Sequence, residues 1–305
     1  MEKQSRRTFL KTTAIATATL TSLPVKKLKA SQQYVLLEDR MGVLVDTTVC
    51  VGCRNCEWAC KKAHDLPAGK IEDYEDKSVM KKMRRPNEKA LTIVNQYKNE
   101  NNPNLPIYVK IQCMHCDHPA CVSACIVGAL TKNENGAVTW NTDKCIGCRY
   151  CMVACPFQVP AFQFDKALNP LIMKCDFCFS RTKEGKLPAC VDICPVEAIT
   201  YGNRNELIKV ARERIKNYPD RYINHIYGEY EVGGTSWMYL AGTDFEKLDF
   251  PKLSENPAPG VSESIQHGIF AYFVPPISLY ALLGGIMWIT KRKRALESEE
   301  GKNHE

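Results

Sequence analysis

The chain has 305 residues, with 41 Lys and Arg against 34 Asp and Glu for a formal charge of +7, and it holds 16 cysteines. The positive charge sits at the ends: residues 1–30 carry seven Lys/Arg and one Glu, residues 291–305 carry five Lys/Arg and four Glu, and the stretch between is neutral. That distribution excludes the basic surface a nucleic-acid partner needs, and the length allows one large or two small domains.

Ser5 to Lys11 reads S-R-R-T-F-L-K, and a mildly apolar stretch follows from Thr12 to Val25. Arg6, Arg7, Phe9 and Leu10 match a twin-arginine export signal, so residues 1–30 are set apart as a targeting segment, with a cleavage point after Ala30. From residue 31 to 250 the sequence reads as one cluster-binding domain. Met41 to Val49 has the look of a short strand leading into the first cysteine loop.

The cysteines fall in four runs of four. The first is Cys50, Cys53, Cys56 and Cys60; the second Cys113, Cys116, Cys121 and Cys125; the third Cys145, Cys148, Cys151 and Cys155; the fourth Cys175, Cys178, Cys190 and Cys194. The third run reads C-I-G-C-R-Y-C-M-V-A-C-P, the bacterial ferredoxin spacing C-x2-C-x2-C-x3-C-P. The first keeps that spacing without the proline, the second widens one gap to four residues, and the fourth widens it to eleven. Zinc sites pair cysteines two by two and do not use a triplet followed by C-P. Disulfides need partner geometry that gaps of two and three residues do not favour. Four thiolates per cluster give four 4Fe–4S clusters.

Gly52 and Gly147 stand two residues after the first cysteine of their runs, where a loop wrapped on a cluster calls for unusual backbone angles. The fourth cysteine of a run is expected at the start of a helix, pointing to a neighbouring cluster, as in two-cluster ferredoxins. Runs two and three should then exchange their last ligands across a short hairpin, which leaves runs one and four to pair. Residues 61–109 form an insert between runs one and two, and its charged centre from Lys70 to Lys89 reads as a solvated surface segment. A smaller insert at 182–189 opens the fourth run. Val138 to Trp140 and Ile199 to Tyr201 read as short strands, giving an α+β, duplicated bacterial-ferredoxin-like fold.

Past the last cysteine, Asn205 to Lys216 has helical spacing with Leu207, Val210, Ala211 and Ile215 on one side. Gly228, Gly233 and Gly234 mark turns, and Trp237 to Leu240 reads as a strand. Residues 251–267 form a polar tether. Gly268 to Thr290 then holds 23 residues without a charge, roughly 34 Å of helix against a hydrocarbon core of about 30 Å. Pro275 and Pro276 predict a kink, and Tyr272 and Trp288 suit the interfaces. Lys291 to Arg294 follow, so the positive-inside rule leaves 291–305 in the cytoplasm and the cluster domain outside. His64, His115 and His118 lie by full cysteine sets and are expected to support ligands, not to bind metal; His267 opens the apolar run. No dinucleotide fingerprint, phosphate loop or nucleophile–base pair stands out, so no catalytic residue is assigned.

The chain resembles the four-cluster, ferredoxin-like electron-transfer subunits of membrane-bound respiratory oxidoreductases, among them those of formate dehydrogenase, dimethyl sulfoxide reductase and periplasmic nickel–iron hydrogenase 2. The resemblance to the hydrogenase 2 type rests on I-Q-C-M-H-C (111–116), the third cysteine run, Y-G-E-Y-E-V-G-G-T (227–235), L-D-F-P-K-L (248–253) and S-I-Q-H (264–267). It implies four ligand sets. The first is Cys50, Cys53, Cys56 and Cys194; the second is Cys60, Cys175, Cys178 and Cys190. The third is Cys113, Cys116, Cys121 and Cys155; the fourth is Cys125, Cys145, Cys148 and Cys151. It also implies a hydrogenase small subunit and an integral membrane quinone-binding subunit as partners, at the periplasmic face of the inner membrane. A molybdenum-enzyme partner is the alternative, and a scaffold merely stapled by clusters is a third reading. Ile126 departs from the proline that the family often has after that cysteine.

Overall fold

The computed structural model describes residues 40–100, 102–168, 170–259 and 279–292. The export signal, residues 260–278 with His267, and residues 293–305 lie outside the described residues. In chain order the elements are β1 (Met41–Asp46), α1 (Asn55–Ala63), β2 (Ile93–Tyr97), β3 (Ile107–Ile111), α2 (Ala120–Ser123), β4 (Leu130–Lys132), β5 (Val138–Trp140), α3 (Tyr150–Ala154), β6 (Ala161–Phe162), β7 (Ile172–Met173), α4 (Phe179–Lys183), α5 (Ala189–Asp192), β8 (Ile199–Asn203), α6 (Arg204–Asn217) and β9 (Trp237–Leu240).

β1 runs between β8, antiparallel to it, and β9, parallel to it. Its run Val43, Leu44, Val45 is buried throughout because both faces of the sheet are covered. The period-2 alternation of a strand sorts the side chains. Leu44, Met238 and Leu240 pack with Leu207 and Ala211 of α6. Val43, Val45, Trp237 and Tyr239 join the core that holds Cys56, Cys113, Cys175 and Cys190. The sheet therefore has one helix-covered face and one cysteine-bearing face. α6 starts where the Asn203 side chain accepts from the backbone N–H groups of Asn205 and Glu206, at 2.9 and 3.3 Å. Val210, expected on its buried side, is 38% exposed; the stripe narrows to Leu207 and Ala211 because the sheet reaches only one edge of the helix.

The cysteine pattern repeats in space. α1 of run one packs on α5 of run four, and α2 of run two packs on α3 of run three. β1 and β8 flank the first pair, and the β4–β5 hairpin joins runs two and three. The charged centre of the 61–109 insert, 70–89, is largely exposed, with Tyr74 and Met80 buried, whereas later parts of the insert join the core: Ile93, Val94 and Val109 are buried, and 93–97 with 107–111 forms a hairpin of five paired residues. Glu57 of α1 accepts from Val94 N–H at 2.7 Å and pairs with Arg84 at 2.6 Å, which ties this hairpin to the first cysteine helix. Contrary to expectation, helices do not begin at the fourth cysteine. α1, α2, α3 and α5 each carry the third cysteine of their run (Cys56, Cys121, Cys151, Cys190), and a C-x3-C gap is about one helical turn.

Among the described residues no helix is long and apolar enough to cross a membrane; residues 279–292, the second half of the uncharged run with Lys291 and Arg292, are helical.

At Gly228 φ is +93°, and a Cβ would lie 2.4 Å from the Trp237 carbonyl oxygen and 2.5 Å from Thr235 Oγ1. Gly228→Ala is therefore expected to lower stability by more than about 1 kcal/mol, read as an earlier thermal transition of the cluster-loaded protein.

Candidate functional site

Each cysteine run opens with the same backbone turn. Two residues after the first cysteine, φ is positive in all four: Gly52 at 68°, His115 at 51°, Gly147 at 68° and Phe177 at 66°. Glycine takes this conformation at little cost; His115 and Phe177 hold it against the steric preference of a side chain. Packing supports them. Both are buried, their rings lie 4.9 Å apart, and Val138 donates its N–H to His115 Nδ1 at 2.8 Å. Arg54 and Arg149 follow in the left-handed region and start α1 and α3 directly.

These turns gather the thiols. Cys50, Cys53, Cys56 and Cys194 line one small cavity, together with Arg54, Val94 and Lys110. Cys125, Cys145, Cys148 and Cys151 line another, with Trp140 and Ile146. Between them, Cys116 feels the charges of Cys155, Cys113 and Cys121 most strongly among thiols. Cys60 is the nearest thiol influence on Cys175 and on Cys190, and Cys190 on Cys178. Two fours are thus gathered in cavities of their own, Cys50, Cys53 and Cys56 with Cys194, and Cys145, Cys148 and Cys151 with Cys125, each including the last cysteine of another run. All sixteen are free of disulfides; Cys148 alone is exposed.

Burial raises the pKa of several of these thiols. It pushes the Cys50 and Cys151 thiols up to about 11, with neighbouring thiols adding to it, and Cys178 up to about 12. Such groups stay protonated at neutral pH unless a metal displaces the proton. Trp140, beside the fourth group, has a buried indole N–H without a protein partner among the described residues. Four converging thiols, no competing oxygen or nitrogen ligand in the two cavities' cysteine sets, and an unspent donor fit a 4Fe–4S cluster.

The histidines fall where a supporting role places them. His64 bridges the runs, with Nδ1 2.7 Å from the Cys60 carbonyl and Nε2 2.7 Å from Asp176. Burial opposes its charge, but the hydrogen bonds to Asp176 and Cys60 prevail and its pKa is pushed up to about 12. His115 goes the other way: burial first, then Lys174, Lys132 and Lys110, hold it well below the ordinary histidine value. His118 abuts Gly233. Sequence reasoning missed three lysines, Lys110, Lys132 and Lys174, all buried beside the cysteine groups. Lys110 and Lys174 were visible as single charges in apolar runs directly ahead of a cysteine, I-Y-V-K-I-Q-C and L-I-M-K-C.

A family profile for a 4Fe–4S dicluster domain matches residues 106–204. The hydrogenase-2 operon protein HybA of Escherichia coli O157:H7 is 32% identical over 97% of this chain and 98% of its own length. The iron-sulfur subunit of the nitrate-inducible formate dehydrogenase of Escherichia coli K12 is 32% identical over 74% of this chain and 76% of its own. A protein of Nitratidesulfovibrio vulgaris is 45% identical over 97% of this chain and 79% of its own length.

A Cβ at Gly52 would lie 2.3 Å from the Tyr108 ring. Gly52→Ala should therefore disturb the first cysteine group alone, and iron analysis should find about twelve iron per chain where the parent holds about sixteen, four per cluster.

Proposed function

The chain belongs to the family of iron–sulfur subunits that includes HybA and the iron–sulfur subunits of formate dehydrogenase, and from that premise we propose that it relays electrons between a periplasmic hydrogenase catalytic dimer and a quinone-reactive membrane subunit. It carries multiple 4Fe–4S clusters and serves as an electron-transfer subunit of an oxidoreductase complex. A 4Fe–4S cluster supplies one-electron chemistry when bound.

The observation that carries this reading is the spatial grouping of the thiols. Cys50, Cys53, Cys56 and Cys194 hold one cluster, and Cys60, Cys175, Cys178 and Cys190 a second. Cys113, Cys116, Cys121 and Cys155 hold a third, and Cys125, Cys145, Cys148 and Cys151 a fourth. The exchange of last ligands interlocks the clusters in pairs. At the outer edge of the fourth set, beside exposed Cys148, stand Ile126, Ile146, Val153 and Phe164, each more than 60% exposed. An apolar rim around an accessible cluster supports contact with a hydrophobic partner there. At the first set the neighbouring groove around Cys50 is mixed, with Lys77, Asn104 and Arg221 beside Val51, Leu105 and Tyr108.

The export signal and the uncharged 23-residue run support an exported domain on a single anchor, with residues 291–305 in the cytoplasm. The second reading replaces the hydrogenase with a molybdenum enzyme, and the formate dehydrogenase relative favours it. Metal analysis of the co-purified complex separates the two: nickel for the first, molybdenum for the second.

The purified protein should hold about sixteen iron per chain. Cys148→Ala should abolish quinone-linked electron transfer while the variant still folds and joins its complex. Full activity in an assembled variant would mean that the clusters only staple the fold.

A further inference from the structure

Lys110 lies on β3, in the hairpin that residues 61–109 contribute to the core. It is 2% exposed. Its ammonium donates to Gln112 Oε1 at 2.7 Å and stands 4.3 Å over the Trp237 ring. Gln112 in turn donates to the Tyr239 hydroxyl at 2.6 Å. These partners are neutral. Lys132 has Asp117 at 3.7 Å, and Arg54 has Glu57 at 3.3 Å. For Lys110 no carboxylate stands within ion-pair distance among the described residues.

A buried ammonium without a counter-charge costs several kcal/mol. The groups placed to offset that cost are cysteines, once cluster binding has made them thiolates. Lys110 lines the cavity of Cys50, Cys53, Cys56 and Cys194. Cys190, Cys56, Tyr239 and Cys175 are the groups whose charge acts most strongly on it. Cys56 belongs to the first set, and Cys190 and Cys175 to the second. One fixed cation is therefore shared by two adjacent sets. Lys132 and Lys174 act on Cys116 and Cys121 of the third set, and no lysine figures among the main influences on Cys151 of the fourth.

We propose that Lys110 is the built-in counter-charge of the first two clusters and holds both of their reduction potentials above the values the cysteine sets alone would give. The inference rests on the ligand sets proposed above. Its sign follows from electrostatics. Reduction adds a negative charge to a cluster, and a fixed positive charge in a dry, low-dielectric interior favours the more negative state. Lys110 acts through space on the clusters and is a positioning residue for charge, not a ligand.

The test is a redox titration of the purified full-length protein, followed by electron paramagnetic resonance, with iron content measured on each sample. In Lys110→Met two of the four centres should move to lower potential. At a fixed poise their oxidised-to-reduced ratio should rise at least tenfold, which is about 59 mV for one electron. The fourth set's centre should stay in place, and Lys110→Arg should keep all four near their parent values. Gln112→Glu puts a carboxylate against the ammonium and should lower the same two centres. Four unmoved centres in an iron-replete Lys110→Met, or an equal shift of all four, would overturn the proposal. If Lys110→Met loses iron, Gln112→Glu decides: no shift there overturns it as well. Failure of the relay reading looks different, since the parent protein would itself hold far fewer than about sixteen iron.

Discussion

Burial pushes the Cys155 thiol up to about 11 and that of Cys178 up to about 12, yet a cluster ligand must be a thiolate. The fold has to bury all or part of every cysteine but Cys148 and leave them able to lose their protons. Metal binding supplies most of the answer, because ligand deprotonation and folding are coupled. Fixed cations supply part of the rest. Lys110, Lys132 and Lys174 are buried beside thiols of the first three sets. Asp117 balances part of that positive charge, with Arg40 at 2.6 Å and Lys132 at 3.7 Å. The polar interior is therefore organised around sulfur charge, and the apolar side of the sheet carries the ordinary core of Leu44, Leu207, Met238 and Leu240.

The same constraint accounts for the strained turns. Where the loop tip faces Tyr108 or Phe162, glycine occupies it, as Gly52 and Gly147 do. Where the two halves of the fold meet, His115 and Phe177 occupy it instead and stack on one another, and Phe177 continues to Trp237 at 6.1 Å. The cost of a positive φ at these two residues is of order 1–3 kcal/mol each, and the aromatic contacts at the centre of the molecule offset it. Duplication thus left a repeated backbone with different side chains. The tips pressed against a neighbouring aromatic ring have glycine, and the tips that face each other became the seam.

The four cysteine runs were legible because ligand spacing is a local property: C-x2-C turns and a one-turn helical gap mark each run in consecutive sequence, whereas the full ligand sets came from the resemblance. Strands at 41–46, 138–140 and 237–240 were legible for a similar reason, as apolar or β-branched runs between turn residues. The role of residues 61–109 was not. Its buried residues Tyr74, Met80 and Val94 are scattered among charges, and the strand-forming pieces 93–97 and 107–111 are joined by a polar loop. What commits the segment to the core is Glu57, a residue outside it, which Arg84 and the Val94 N–H satisfy. The buried lysines escaped for the opposite reason. Lysine in a short strand reads as an outward-facing residue, and only the partner across space, a cluster ligand distant in sequence, turns it inward. Positive φ at His115 and Phe177 likewise has no sequence mark.

The proposed cross-ligation has a mechanical consequence. Cys194 completes the set that begins at Cys50, and Cys60 joins the set formed by the fourth run. Neither set can close until β1, α1 and α5 are together. His64 reinforces that closure, because it holds Cys60 of one run and Asp176 of the other. In the second half, the β4–β5 hairpin brings runs two and three together through a short, local connection. The half with local pairing can form early, since loop-closure entropy favours short connections. The half with runs one and four needs the whole cysteine domain between them in place. Cluster pairing and chain topology therefore make one problem of assembly and folding.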